Sequence, residues 1–290
     1  MTRERMTKCE KSRLNERCIA IVEDYASQGF RVTVRQVHYQ VVSRFPEDYP
    51  NTPETYGRVQ RTLKEGRETG SIDWQNIEDR TRSLDAPAHW DSPLDMIRSD
   101  STVFRLDLWA GQQYRPEIWT EKQAATGIVL DLQDTYHLTL YSCRGFNSLS
   151  GAYSTRQRFE RYLENGQTPI ILYIGDCDPS GQIMDMGDNG IASHLPEGAV
   201  LERLALTPQQ AAMRNLPPLP AKLSDSRTAG YIVRNGNAHC WELDALAPNE
   251  IQALITNRLT ELIDRPIWDE TVKRQLDGQR LLQKIYEDLL

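Results

Sequence analysis

"LYIGDCDPSG", residues 172–181, decides how the rest of the chain reads. An apolar run stops at two aspartates one residue apart, and a proline, a serine and a glycine follow. The pattern predicts a buried strand that ends in a polar turn and enters a helix. Residues two apart on an extended chain point the same way, so Asp176 and Asp178 can face one cation. Hard divalent ions take carboxylate oxygens, and magnesium usually takes one or two while keeping water and phosphate. The helix N-terminus that follows would favour a phosphate. Taken alone, the same pattern also suits a helix N-cap or a solvated loop.

The flanks add to it. From about residue 101, strands and helices alternate: "YRPEIWTEK", "KQAATGIVLDLQDTY", "LTLYSCRG", "SLSGAYSTRQRFERYLENG", "TPIILYIGD", "SGQIMDMGDNGIASHL", "VLERLAL". That order implies an α/β fold with a mostly parallel sheet covered by helices. Ligands of such sheets gather at the carboxyl ends of the strands. Glu121 falls at one such end and Arg144 at another. Glu121 could hold a second ion or act in proton transfer, and Arg144 could clamp a phosphate. Ser148 and Ser150 read as caps of the next helix. Residues 216–227 form a proline-rich loop, and the end of the chain is helical from near Pro248. Between them, Arg227 and Glu242 either line the cleft or form a structural ion pair, while Trp241 and Leu243 read as core.

The first 85 residues have a different pattern. Residues 9–28 have helical spacing, with Gly29 as the stop. Thr33 caps a second helix carrying Val34, Val37, Val41 and Val42. A third helix, residues 53–69, turns Tyr56, Val59 and Leu63 inward and Arg58, Arg61, Lys64 and Arg67 outward. "GSIDWQNIEDRTR" (70–82) then reads as a short strand pair, or wing. Three helices and a wing suggest a winged helix whose basic third helix meets DNA; a small helical bundle with a solvated face is the other reading. Residues 83–100 are loop-rich. The expected organisation is therefore a DNA-binding domain over 1–85, a linker over 86–100, and an α/β domain with a helical extension over 101–290.

Composition sets the outer limits. The net charge of −7 is uneven: residues 1–85 carry 15 Lys/Arg against 14 Asp/Glu, and the remainder carries 19 against 27. A local basic face is thus compatible with an acidic chain. No apolar run approaches the ~20 residues that span a bilayer, and no secretory signal opens the sequence. The five cysteines form no CxxC pair, so neither a zinc site nor a disulfide framework is expected. A reducing cytoplasm is the expected setting.

"WTEKQA", "SCRGF" and "ILYIGDCDPSG", in that order, resemble a Toprim domain, a Rossmann-like fold. "TVRQVHYQVV" resembles the catalytic-tyrosine motif of the topoisomerase VI A subunit and its relative, the meiotic double-strand-break transesterase. That family joins a winged-helix domain to a Toprim domain, and the resemblance covers most of residues 15–245, including stand-alone members from phages and mobile elements. It implies that Glu121, Asp176 and Asp178 bind Mg²⁺, with Mn²⁺ as a substitute. It implies that Tyr39 attacks a phosphodiester of double-stranded DNA, with Arg35 one helical turn earlier stabilising the phosphate. It also implies a homodimer in which one subunit's tyrosine meets its partner's metal site, and a separate ATPase subunit for strand passage. His38 stands where the family often has a second aromatic, and reads as core or surface.

Two other functions stay open on these residues. One is a hydrolytic Toprim nuclease in which Tyr39 is structural. The other is a DNA-binding module whose metal site is a relic.

Overall fold

The computed structural model describes residues 7–77, 87, 89–120, 123–143, 149–186, 190–222 and 224–290. Three helices come first: α1 (Lys8–Ser27), α2 (Val34–Arg44) and α3 (Pro53–Glu68). Thr7 and Thr33 close capping boxes on α1 and α2, and Thr52 caps α3 ahead of a proline at its first turn. Gly29 leaves α1 at φ +83°, a left-handed conformation that a Cβ would oppose. Leu14, Cys18, Ile21, Val37, Val41, Val59 and Leu63 pack together as the core of this unit.

The expected wing takes a different form over its described part. Residues 74–76 make one 3₁₀ turn, capped by Asp73. Ile77 then forms a single parallel bridge with Val32. Residues 78–82 lie outside the described residues. The linker reading also needs correction: Ser92 caps a helix, α4 (Pro93–Val103), inside the stretch read as loop. Its half-buried Leu94 and Ile97 and buried Ser101 recur at helical spacing, a signal that two prolines and a run of polar residues obscured.

The sheet follows the expected order. It runs β1 (Tyr114–Thr120), α5 (Gln123–Tyr136), β2 (Thr139–Ser142), α6 (Leu149–Glu164), β3 (Thr168–Ile174), α7 (Pro179–Met186) and β4 (Val200–Ala205). All strand pairs are parallel, in the order β2-β1-β3-β4. Period-two alternation divides the two faces. Ile118, Ile170, Leu172 and Ile174 face one core with Ile128, Val129 and Leu132 of α5, whereas Trp119, Ile171 and Tyr173 face another with Phe159 of α6.

Beyond the sheet lie α8 (Pro208–Met213), β5 (Leu219–Pro220), α9 (Thr228–Asn235) and β6 (His239–Cys240). β5 pairs antiparallel with β6, which gives the proline-rich loop one short strand. A 3₁₀ turn at Leu243–Ala245 leads to α10 (Pro248–Leu262) and α11 (Arg265–Asp288). Among the described residues, no helix is long and apolar enough to cross a membrane.

Candidate functional site

The strand order places a topological switch between β1 and β3. The chain leaves β1 toward β2 on one side and leaves β3 toward β4 on the other, so a crevice opens at their carboxyl ends. Thr120, the last residue of β1, is in register with Ile174, the last of β3. Asp176 and Asp178 follow directly. Glu121 and Arg144 lie outside the described residues.

Burial alternates through the turn: Cys177 is buried, while Asp176 and Asp178 are half-exposed. The Cys177 backbone exchanges two hydrogen bonds with Trp241, at 2.8 and 2.9 Å. The Tyr231 hydroxyl lies 2.5 Å from the His239 carbonyl oxygen and 3.2 Å from that of Cys177. The turn is therefore held against the 239–243 segment at several points. Burial, with Asp178 next in effect, pushes the Cys240 thiol up to about 11, so it is no thiolate at neutral pH.

Each carboxylate takes a backbone donor. Asp178 accepts from the Gly181 N–H at 2.7 Å, so the N-cap reading holds for this residue. Asp176 accepts from the Leu243 N–H at 2.7 Å. A carboxylate offers about four lone-pair sites, so neither bond precludes a cation. Gly181 makes the turn tight, since a Cβ there would stand 2.3 Å from the Asp176 carbonyl oxygen. Both carboxylates are half-exposed at the end of β3, and hard divalent ions take such oxygens, so Asp176 and Asp178 are the described residues that could hold one. Among the described residues, no three His, Cys, Asp or Glu side chains form a ready metal group. Arg227 borders the turn: its guanidinium pairs with Asp225 at 2.8 Å, and Asp178 also acts on it.

α2 enters the same neighbourhood. Arg35 forms an ion pair with Glu242 and approaches Asp244 at 3.5 Å. Tyr39 is buried, and packs with the sheet's core rather than with the core of its own three-helix unit. The Arg35 guanidinium lies 5.9 Å from the Tyr39 ring centre. Burial raises the Tyr39 phenol above its usual value, Glu242 raises it further, and Arg35 opposes them. Glu242 thus answers the open question about its role: it pairs with Arg35, whereas Arg227 pairs with Asp225. The sequence reading had no means of joining residues 35 and 242. Trp241 and Leu243 are core, as read. His38 is buried, with Nε2 3.1 Å from Asn51 Oδ1, and burial lowers its pKa.

The basic face of α3 is less open than the sequence suggests. Arg58 pairs with Glu54 at 2.6 Å and Lys64 reaches Glu68 at 3.6 Å. Arg61 bonds the Gly57 carbonyl, and Arg67 lies over the exposed Trp74 ring at 5.0 Å.

One buried charge escaped the sequence reading. Glu117 of β1 is fully buried and accepts from Arg158 of α6 at 2.7 and 2.9 Å and from Trp119 Nε1 at 2.9 Å. Only its place among the inward β1 positions separates it from a surface glutamate. Searches against protein-family models and against curated proteins found no match to this chain.

Proposed function

We propose that the chain is a magnesium-dependent DNA-cleaving protein of the topoisomerase VI A-like type, with a winged-helix unit over 1–85 and a Toprim-like domain over 101–290. The observation that carries this reading is the placement of Arg35 and Tyr39 beside Glu242, whose neighbour Leu243 donates its backbone N–H to Asp176. A tyrosine nucleophile needs a proton acceptor and a cation to act near neutral pH; Glu242 stands as the acceptor, and Arg35 offsets part of the burial that raises the phenol.

In the proposed step, the Tyr39 oxygen attacks phosphorus and its proton passes to Glu242. An O–P bond to tyrosine forms while the bond to a deoxyribose oxygen breaks, and that oxygen takes a proton from water. Arg35 stabilises the phosphate charge that develops. Asp176 and Asp178 would hold Mg²⁺, which when bound would supply Lewis-acid stabilisation of the phosphate charge. Double-stranded DNA would meet Arg61 and Arg67 on α3. A homodimer and a separate ATPase partner belong to the same proposal, with Tyr39 acting beside the carboxylate turn of its own subunit rather than at its partner's metal site as the resemblance implies.

The test is cleavage of supercoiled plasmid with Mg²⁺ or Mn²⁺. Protein covalently joined to DNA ends, lost in Tyr39→Phe and in Asp176→Asn, is the expected result. The burial of Tyr39 favours a second reading, hydrolysis by water at the same carboxylates. Cleavage that persists in Tyr39→Phe but stops in Asp176→Asn would establish that second reading and overturn the first.

A further inference from the structure

One cross-strand row spans the sheet just before its carboxyl edge. Tyr141 of β2, Trp119 of β1, Tyr173 of β3 and Arg203 of β4 stand in register. Residues in register on parallel strands share a face, and this row lies on the α6 side, where Trp119 and Tyr173 are fully buried. The Trp119 and Tyr141 ring centres are 4.5 Å apart. At the far end the Arg203 guanidinium lies 4.9 Å from the Tyr173 ring centre. An arginine stacked on an aromatic face keeps its planar N–H fork for hydrogen bonds.

Arg203 directs that fork at the carboxylate turn. Its Nη1 donates to the carbonyl oxygens of Asp176 and Leu206, each at 3.1 Å. Those two segments are already joined: Gly175 N–H donates to the Ala205 carbonyl at 2.8 Å, and Leu206 N–H donates to the Gly175 carbonyl at 2.9 Å. β4 bulges at Leu204, since Tyr173 aligns with Arg203 but Ile174 aligns with Ala205. Bulges beside a site re-aim side chains. Asp176 is therefore held twice, at its carbonyl by Arg203 and at its carboxylate by the Leu243 N–H.

We infer that Arg203 is a positioning residue for metal binding: by fixing the Asp176 backbone it sets the direction in which the Asp176 carboxylate meets Mg²⁺. This role rests on the reading of Asp176 and Asp178 as the magnesium carboxylates. A second effect of Arg203 opposes it, because a fixed positive charge near the turn repels a cation. Arg203 is half-buried, so water screens that repulsion. Loss of a group that orients a metal ligand costs about 10–100-fold in affinity, so positioning outweighs charge.

Calorimetric titration of the full-length protein with Mg²⁺ and with Mn²⁺ tests it, together with the electron paramagnetic resonance spectrum of bound Mn²⁺. Arg203→Lys keeps the charge and loses the planar fork, whereas Arg203→Met loses both. Each is expected to raise the dissociation constant about 10–100-fold and to change the Mn²⁺ spectrum. Glu202→Gln is the control: its side chain lies on the opposite face of β4 and pairs with Arg258 at 2.9 Å, and it leaves both readouts unchanged. Urea unfolding checks that each variant is folded, and Arg203→Lys decides if Arg203→Met is not. Three results would overturn the role while leaving the carboxylate reading in place: unchanged affinity in the folded Arg203 variants, weaker binding with an unchanged spectrum, or tighter binding in Arg203→Met. A wild type that binds neither ion overturns the carboxylate reading, and this role with it.

Discussion

Leu243 donates its backbone N–H to the Asp176 carboxylate at 2.7 Å, and the residue before it, Glu242, holds Arg35 of α2 by an ion pair. Two adjacent residues thus tie a helix from the first unit to the turn at the end of β3. A change at Glu242 should therefore be felt on both sides. Glu242→Gln keeps the shape but removes the charge that pairs with Arg35 and the proton acceptor assigned to Tyr39. On the proposed mechanism it lowers the cleavage rate by about 10²–10⁴-fold, the usual worth of a general base. Plasmid binding measured by gel shift stays within a few-fold. A rate equal to wild type in Glu242→Gln would remove Glu242 from the chemistry.

Gly181 tests the turn itself. An added Cβ would meet the Asp176 carbonyl oxygen at 2.3 Å, and backbone, unlike the end of a flexible side chain, yields little. Gly181→Ala is expected to destabilise the fold by about 1–3 kcal/mol, as overpacking does. On the proposed reading, Mg²⁺ binding measured by titration calorimetry weakens with it. Serine at 180, half-exposed and outside this contact, serves as the control: Ser180→Ala changes neither.

The β-α alternation was legible because each strand and helix carries its own period, and the DxD turn because it interrupts one abruptly. α4 was not legible: Pro93 is a helix-starting proline capped by Ser92, and the sparse apolar spacing of Leu94 and Ile97 after it is hidden among polar residues. The link between Arg35 and Glu242 spans 207 residues and rests on tertiary packing, which no local pattern encodes. On α3, Glu54 and Glu68, four residues from Arg58 and Lys64, neutralise part of the basic stripe.

Glu117 offers a stability test free of any functional reading. Removing the carboxylate leaves the Arg158 guanidinium unpaired beside the sheet, and breaking a buried pair costs about 3–5 kcal/mol. Glu117→Ala should lose that much in urea unfolding. The double variant Glu117→Met with Arg158→Met should recover most of it, since an apolar pair of similar volume needs no desolvated charge. A loss below about 1 kcal/mol in Glu117→Ala would mean that water reaches the pair.

His38 gives the acid-side prediction. Its pKa is lowered in the fold, first by burial and then by the nearby Arg35 charge, with the Asn51 contact opposing. The unfolded chain therefore binds the proton more readily than the native one below the ordinary histidine value near 6.5. Linkage then fixes the sign: the stabilising contribution is present above that value and is lost as pH falls through the folded pKa. Wild type should lose stability between pH ~7 and ~5 that His38→Gln does not lose. Urea midpoints at the two pH values measure the difference. Equal losses in the two proteins would show that His38 takes up its proton without cost in the folded state, which its burial against Tyr39 and Tyr56 argues against.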